Sequence, residues 1–341
     1  MTRALRCPTS SRRRLERKKI MHISVTDPLP AAFARMKYIL FSPFDFPKWL
    51  TLGFCAFLTA LSGGGGSGGG GGSHFNVGGI NPSGLRSSMA SSMPAEATNW
   101  VSGHIALIVL FAAIVFLFII GFMLLFLWLS SRGEFMFLDG VVRNQGAVVE
   151  PWRRFRILGN SLFLFRFVLG VAMLILIVMI LGLCALGAWS SLRSGAFGPG
   201  ALAALLVFTL TMLPLGIAFA VFVMLVHDFV VPIMYRRNVL VLEALGLFWR
   251  EILAGHAGVM GLYVLMRIVL GIATGIVIFV GGCLTCCIGW LPYISSVVFL
   301  PIHVLLRCYS ICFLEQYGEM WGLFPQPSLA PPERDSQQPI V

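Results

Sequence analysis

Residues 105–129 read IALIVLFAAIVFLFIIGFMLLFLWL, twenty-five positions without one Asp, Glu, Lys or Arg. A bilayer core is crossed by about 20 apolar residues in helix, because only a helix satisfies its own backbone groups in hydrocarbon. Four more uncharged apolar runs follow, at 167–189, 201–226, 268–290 and 291–306. A shorter one, at 49–61, precedes them and borrows length from 41–46 or from the glycines after it. These runs predict an all-α, polytopic membrane bundle of about six transmembrane helices.

Composition agrees. Hydrophobic residues form 57% of the 341-residue chain and charged residues 11%, where a soluble domain carries about 25% charged residues. Mean hydropathy is +0.87. Six spans with their loops consume nearly all the chain and leave no room for a soluble domain of ordinary size. The expected organisation is a basic disordered tail over 1–27, a membrane domain over 28–320 and a disordered tail over 321–341. Within the membrane domain, a Gly-rich outer loop covers 62–100.

The net charge of +11 is concentrated near the N-terminus, where eleven of 25 basic residues precede Trp49. Arg12-Arg13-Arg14 and Arg17-Lys18-Lys19 beside a span mark topology or touch anionic lipid. Nucleic acid is not an expected partner; membrane lipid is, and so is an unspecified membrane protein. Residues 1–20 are either such a tail or an over-extended reading frame ahead of Met21. Asp27-Pro28-Leu29-Pro30 follows the basic stretch, where a secretory signal would have an apolar core and a cleavage site.

Lys and Arg alternate between loops. Six fall in 130–166 and four in 227–267, whereas the loops near 62–104 and 190–200 hold one each, Arg86 and Arg193. Positive loops stay on the cytoplasmic side. Both termini are therefore expected in the cytoplasm.

Residues 134–172 resemble 228–273. Arg143-Asn144, Glu150, Trp152 and Arg166-Phe-Val-Leu-Gly170-Val-Ala172 match Arg237-Asn238, Glu243, Trp249 and Arg267-Ile-Val-Leu-Gly271-Ile-Ala273. Residues 33–49 read as a degenerate third copy. The implied unit is an amphipathic interfacial helix leading into a two-span hairpin, used three times. In the first copy Trp152, Phe155 and Leu158 share a face, with Arg153, Arg154 and Arg156 beside it. In the second, Leu245, Phe248 and Ile252 form the stripe. Each helix either lies at headgroup level or packs under the bundle.

His303, Arg307 and Asp228 form the candidate intramembrane polar site. His303 and Arg307 sit four residues apart on one helical face, extended by Ser296 and Ser310. Ionisable groups at membrane depth tend to face the bundle interior. One reading is a polar pathway or anion site, with Asp228 or Glu315 as counter-charge. The simpler one has Arg307 snorkelling to headgroups and His303 making an interhelical hydrogen bond. Arg166 and Arg267 read as topology markers at span entrances, and Asp139 and Asp228 as their possible partners.

Cys283 and Cys286 have C-x-x-C spacing, with Cys287 adjacent, which admits a disulfide or thiol chemistry; apolar packing of small residues is the plainer reading. Gly271 and Gly275 form a GxxxG that would let two helices approach. No P-loop, HExxH, dinucleotide fingerprint or carboxylate pair occurs. No cofactor, no metal and no enzymatic activity are expected. The sequence points to a protein that organises lipid or protein partners at the cytoplasmic interface. A small-solute or lipid transporter using the last span is the alternative, and a membrane-embedded thiol enzyme a remoter one.

Four stretches carry a resemblance: Phe135-Met-Phe-Leu-Asp-Gly140, Glu150-Pro-Trp152, His227-Asp-Phe-Val-Val-Pro-Ile-Met234 and Leu291-Pro-Tyr293. Over roughly 28–320 the chain resembles uncharacterised bacterial multi-pass membrane proteins. It is more loosely similar to the membrane domain of some glycerophosphoryl diester phosphodiesterases. The resemblance implies a bacterial inner-membrane location. The catalytic domain of those phosphodiesterases, with its acidic metal ligands and His pair, has no counterpart, so their activity is not implied.

Overall fold

The computed structural model describes residues 23–42, 44–61, 95–187, 189, 199–284 and 292–324, and among these there is no strand. The helices are α1 (Pro28–Phe41), α2 (Phe46–Ala60), α3 (Ala95–Arg143), α4 (Val149–Arg154), α5 (Arg156–Gly187), α6 (Pro199–Leu225), α7 (Val231–Arg237), α8 (Val241–Leu247), α9 (Ala254–Leu284), α10 (Pro292–Val298) and α11 (Leu300–Glu315). Wider π-helical turns, Val226–Val230 and Phe248–Leu253, join α6 to α7 and α8 to α9.

Among the described residues four helical stretches are long and apolar enough to cross a membrane: Val109–Arg143, Arg156–Gly187, Leu202–Arg237 and Val241–Leu284. This corrects the expectation of six. The first apolar run becomes α2, only 15 residues long, or about 22 Å at the helical rise. The last run does not form one helix. It breaks at Phe299 (φ −92°, ψ 16°), and Pro301 opens α11. Proline has no N–H to give the carbonyl four residues back and its ring crowds that group. The freed carbonyl is that of Val297, and the Trp49 indole Nε1 donates to it at 3.0 Å.

Burial divides the long helices. In the first three, none of the most apolar 18-residue stretch is buried. Their other ends enter a shared core: Phe135–Leu138 of α3, Leu158 and Leu162 of α5, and Val226–Met234 after α6. Tyr263 and Met260 of α9 join them, together with Tyr309 and Phe313 of α11. Aromatic rings fill the centre; Phe229 and Tyr263 lie 4.8 Å apart edge to face, and Tyr263 and Phe313 4.5 Å apart. α2 runs along α3 at backbone distance. A Cβ added at Gly133 would stand 2.5 Å from the Leu58 Cβ and 3.3 Å from the Thr59 amide nitrogen.

The apolar stripes expected of interfacial helices face this core. Phe155 and Leu158 are buried, as are Phe248 and Ile252, while Trp152 and Leu245 are half-buried against it.

Described residues with defined partners reach into both stretches expected as tails, 23–27 and 321–324. Ser24 N–H donates to the Gln316 side chain at 2.9 Å, and Gln316 Nε2 donates back to the Ser24 carbonyl at 3.0 Å. Glu315 Oε1 accepts the amides of Leu323 and Phe324, each at 3.2 Å. Val25, Trp321, Leu323 and Phe324 are buried. The remaining tail residues, 1–22 and 325–341, lie outside the described residues, as does the Gly-rich stretch through residue 94; from Ala95 the expected loop is already α3.

Candidate functional site

Every side chain from Val226 to Met234 is buried, so this turn is surrounded on all sides. The uncharged run ends here, and His227 and Asp228 are the first polar groups after it. Their burial needs partners, because an unpaired charge in a low-dielectric interior is costly. The Asp228 carboxylate accepts from Arg267 Nε at 2.8 Å and from the Tyr263 hydroxyl at 2.9 Å, both through Oδ2. His227 Nδ1 lies 2.9 Å from Glu134 Oε1, and Arg166 Nη2 bonds the same oxygen. Two helix-crossing ion pairs therefore meet at adjacent residues.

Arg307 sits between them. It is 2% exposed, and its Nη1 donates to the His227 carbonyl at 2.7 Å. The neighbouring π-turn bond runs from the Val231 amide to the Val226 carbonyl. Continuing that spacing, the donor for His227 would be residue 232, which is proline. Arg307 supplies the missing donor. Glu134 and Asp228 both act on Arg307 electrostatically.

The network holds three guanidinium groups against two carboxylates, plus His227. Several buried atoms in it have no hydrogen-bond partner among the described residues: Glu134 Oε2, Asp228 Oδ1, Arg166 Nη1, Arg267 Nη1, and Arg307 Nε and Nη2. Donors and acceptors remain in one enclosed place, an arrangement suited to ordered water.

Of the three expected site residues, Asp228 and Arg307 reach the same network, with altered partnerships. Asp228 pairs directly with Arg267 and Tyr263 rather than with Arg307. Glu315 holds the C-terminal amides instead. His303 is half-buried and within electrostatic reach of His227. Arg307, expected to reach headgroups or a carboxylate, is enclosed in the core on a backbone carbonyl. Arg166 and Arg267 are paired core residues instead of exposed topology markers; their side chains are 10% and 2% exposed. Asp139 does not meet Arg166; it pairs with Arg143 one turn on at 3.1 Å and accepts from the Tyr235 hydroxyl at 2.8 Å.

Glu134 and Tyr263 were not singled out from sequence. The available signal was position: Glu134 matches Asp228 in the repeat alignment, and Tyr263 lies one helical turn before Arg267.

Other candidates disperse. Cys283 is a free, exposed thiol, whereas Cys286 and Cys287 lie outside the described residues. Burial pushes the Cys312 thiol up to about 12, far from the thiolate range a reactive cysteine needs. A Cβ added at Gly271 or Gly275 would meet nothing within 4 Å, so among the described residues no helix closes on that GxxxG. Among the described residues no group of three or more His, Cys, Asp or Glu could hold a metal ion.

These features define an all-helical protein with four apolar helices of membrane-spanning length joined by a buried ionic core. The chain belongs to a family of unknown function, DUF7544, whose model matches residues 23–295. No curated protein and no solved structure matches it. The family match carries neither a bacterial source nor a likeness to the phosphodiesterase membrane domain.

Proposed function

We propose that this is a multi-pass membrane protein without enzymatic activity, which organises lipid or protein partners at the cytoplasmic interface. One observation carries the reading: the most apolar stretches of three long helices bury none of their residues within the chain. Such surface needs lipid or another protein around it. The ionic groups that a transporter would place along a solute path are packed into the core instead, with Asp228 1% and Arg307 2% exposed. By the positive-inside rule the basic, packed end faces the cytoplasm, with both termini on that side.

The test is extraction of the full-length protein from membranes with alkaline carbonate. Retention in the pellet supports the reading; release into the supernatant sinks it. Reconstitution then separates the roles. Solute uptake lost in Arg307→Leu and partly kept in Arg307→Lys would favour transport over organisation.

We also propose an internal duplication. Four pairings support it: Glu134 with Asp228, Phe135 with Phe229, Asn144 with Asn238, and Arg166 with Arg267. Both asparagines have positive φ, 59° and 55°. Both arginines bond the carboxylate that opens their own copy. A duplication predicts similar losses of stability for Glu134→Gln and Asp228→Asn; a large loss for one and none for the other would reject it.

A further inference from the structure

Arg132 is the first charged residue after the apolar run of α3, and it is held with unusual firmness. Its guanidinium carbon lies 4.3 Å from the centre of the Trp128 ring and 4.8 Å from that of Trp152. The two indoles meet edge to face at 5.7 Å. Asn160 Oδ1 accepts from Arg132 Nη2 at 3.0 Å and from Trp128 Nε1 at 3.3 Å. Gly159 makes room for it, since a Cβ there would stand 2.8 Å from Arg132 Cγ. The side chain is a fixed positive charge, 8% exposed.

More positive charge gathers beside it. Arg153, Arg154 and Arg156 are exposed, and Arg156 is near enough to repel Arg132 electrostatically. Among the described residues none of these four arginines makes an ion pair. That contrasts with Arg166 and Arg267, whose carboxylates are built in. Four like charges without an internal counter-charge call for one from outside.

The surroundings say what kind. Ile157 and Leu164, two turns apart on α5, are 73% and 59% exposed, and the uncharged apolar run of that helix begins at residue 167. Tryptophan and arginine at the boundary between a charged segment and an apolar one suit the headgroup layer. An anion held by Arg153 and Arg156 would have exposed Ile157, the residue after Arg156, as an apolar neighbour. A nucleic acid or a free phosphate would leave that side chain bare.

We propose that this patch binds the headgroup phosphate of an acidic phospholipid, with the acyl chains along Ile157 and Leu164. Arg132 contributes a fixed field and Arg153 and Arg156 the movable donors. The proposal rests on the reading of the chain as membrane-spanning and names one lipid class for its interface.

Native mass spectrometry of the full-length protein in detergent tests it, with phosphatidylglycerol and phosphatidylcholine as probes. The protein should retain phosphatidylglycerol preferentially. Arg153→Gln/Arg156→Gln should lower that retention about tenfold or more, since each basic residue at an anionic surface contributes several-fold in affinity. Lys37→Gln/Arg236→Gln removes the same charge from exposed positions elsewhere and should leave retention within about twofold. Equal retention of both lipids, or equal loss in the two double variants, would overturn the proposal. So would displacement of phosphatidylglycerol by millimolar inorganic phosphate. Carbonate extraction of the same variants keeps the two readings apart. A protein that stays in the membrane yet shows no lipid preference loses this inference alone.

Discussion

Arg267 Nε donates to Asp228 Oδ2 at 2.8 Å, and both side chains are at most 2% exposed. This contact ties α9 to the turn after α6, in the centre of the aromatic core. The Tyr263 hydroxyl donates to the same oxygen at 2.9 Å. Removing one partner of such a pair leaves a buried charge without its counter-charge, which costs about 3–5 kcal/mol. Asp228→Asn and Arg267→Leu should each lower the melting temperature strongly in detergent. The double variant should be less damaging than the sum of the two, because the pair is lost only once. Additive losses in the thermal melts would show that the two residues act independently.

Arg307 should matter less than Asp228. With Arg307→Leu the network keeps two guanidinium groups and two carboxylates. What is lost is the donor to the His227 carbonyl, an orphaned buried acceptor costing about 1–3 kcal/mol. Arg307→Lys retains a donor and should recover part of that stability. Unfolding midpoints of the three proteins check the ranking; a Leu variant as damaged as Asp228→Asn would contradict it.

The seam between α2 and α3 makes a steric prediction. Gly133→Ala pushes a methyl into the Leu58 Cβ and the Thr59 backbone. Backbone cannot swing aside as a side chain can, and overpacking of this kind costs about 1–3 kcal/mol. Gly121→Ala, on the unburied part of the same helix, meets nothing within 4 Å. It should change stability by no more than about 1 kcal/mol, in the favourable direction that alanine has over glycine in a helix. Parallel thermal unfolding of the two variants decides the matter.

Asn238 closes α7 with φ 55° and ψ 40°. Asparagine tolerates this left-handed conformation, glycine prefers it, and a β-branched residue resists it. Asn238→Gly should be close to neutral, while Asn238→Val should lose about 1–2 kcal/mol. Because the side chain is exposed, lost packing cannot mimic the effect. Equal melting of both variants would mean that the backbone conformation costs nothing here.

The long apolar helices were legible from sequence because a bilayer-length run without charge has few other uses. The two shorter runs were misread for a definable reason. Hydropathy does not register where Pro301 interrupts a helix, nor that 15 residues of α2 pack against α3. The site was legible in part. Arg307 and Asp228 meet in one network, with His303 in electrostatic reach of His227, but the arginines are buried against partners. A charged residue a few positions beyond an apolar run looks the same in sequence whether it meets headgroups or a carboxylate 32 or 39 residues distant. Glu134 stayed hidden for that reason; only its correspondence with Asp228 could have marked it.

The reciprocal bonds between Ser24 and Gln316 join positions 292 residues apart, and they bear on the order in which the chain is made. Synthesis proceeds at about 5–20 residues per second, so roughly 15–60 s pass between the appearance of Ser24 and that of Gln316. Throughout that interval α1 lacks the helix that covers it, and once Arg267 has been made Glu134 and Asp228 have their own arginines but not Arg307. The packed end can close only once α11 has been made. A ribosome that stalls before α11 is complete leaves four apolar helices already made and a core still open.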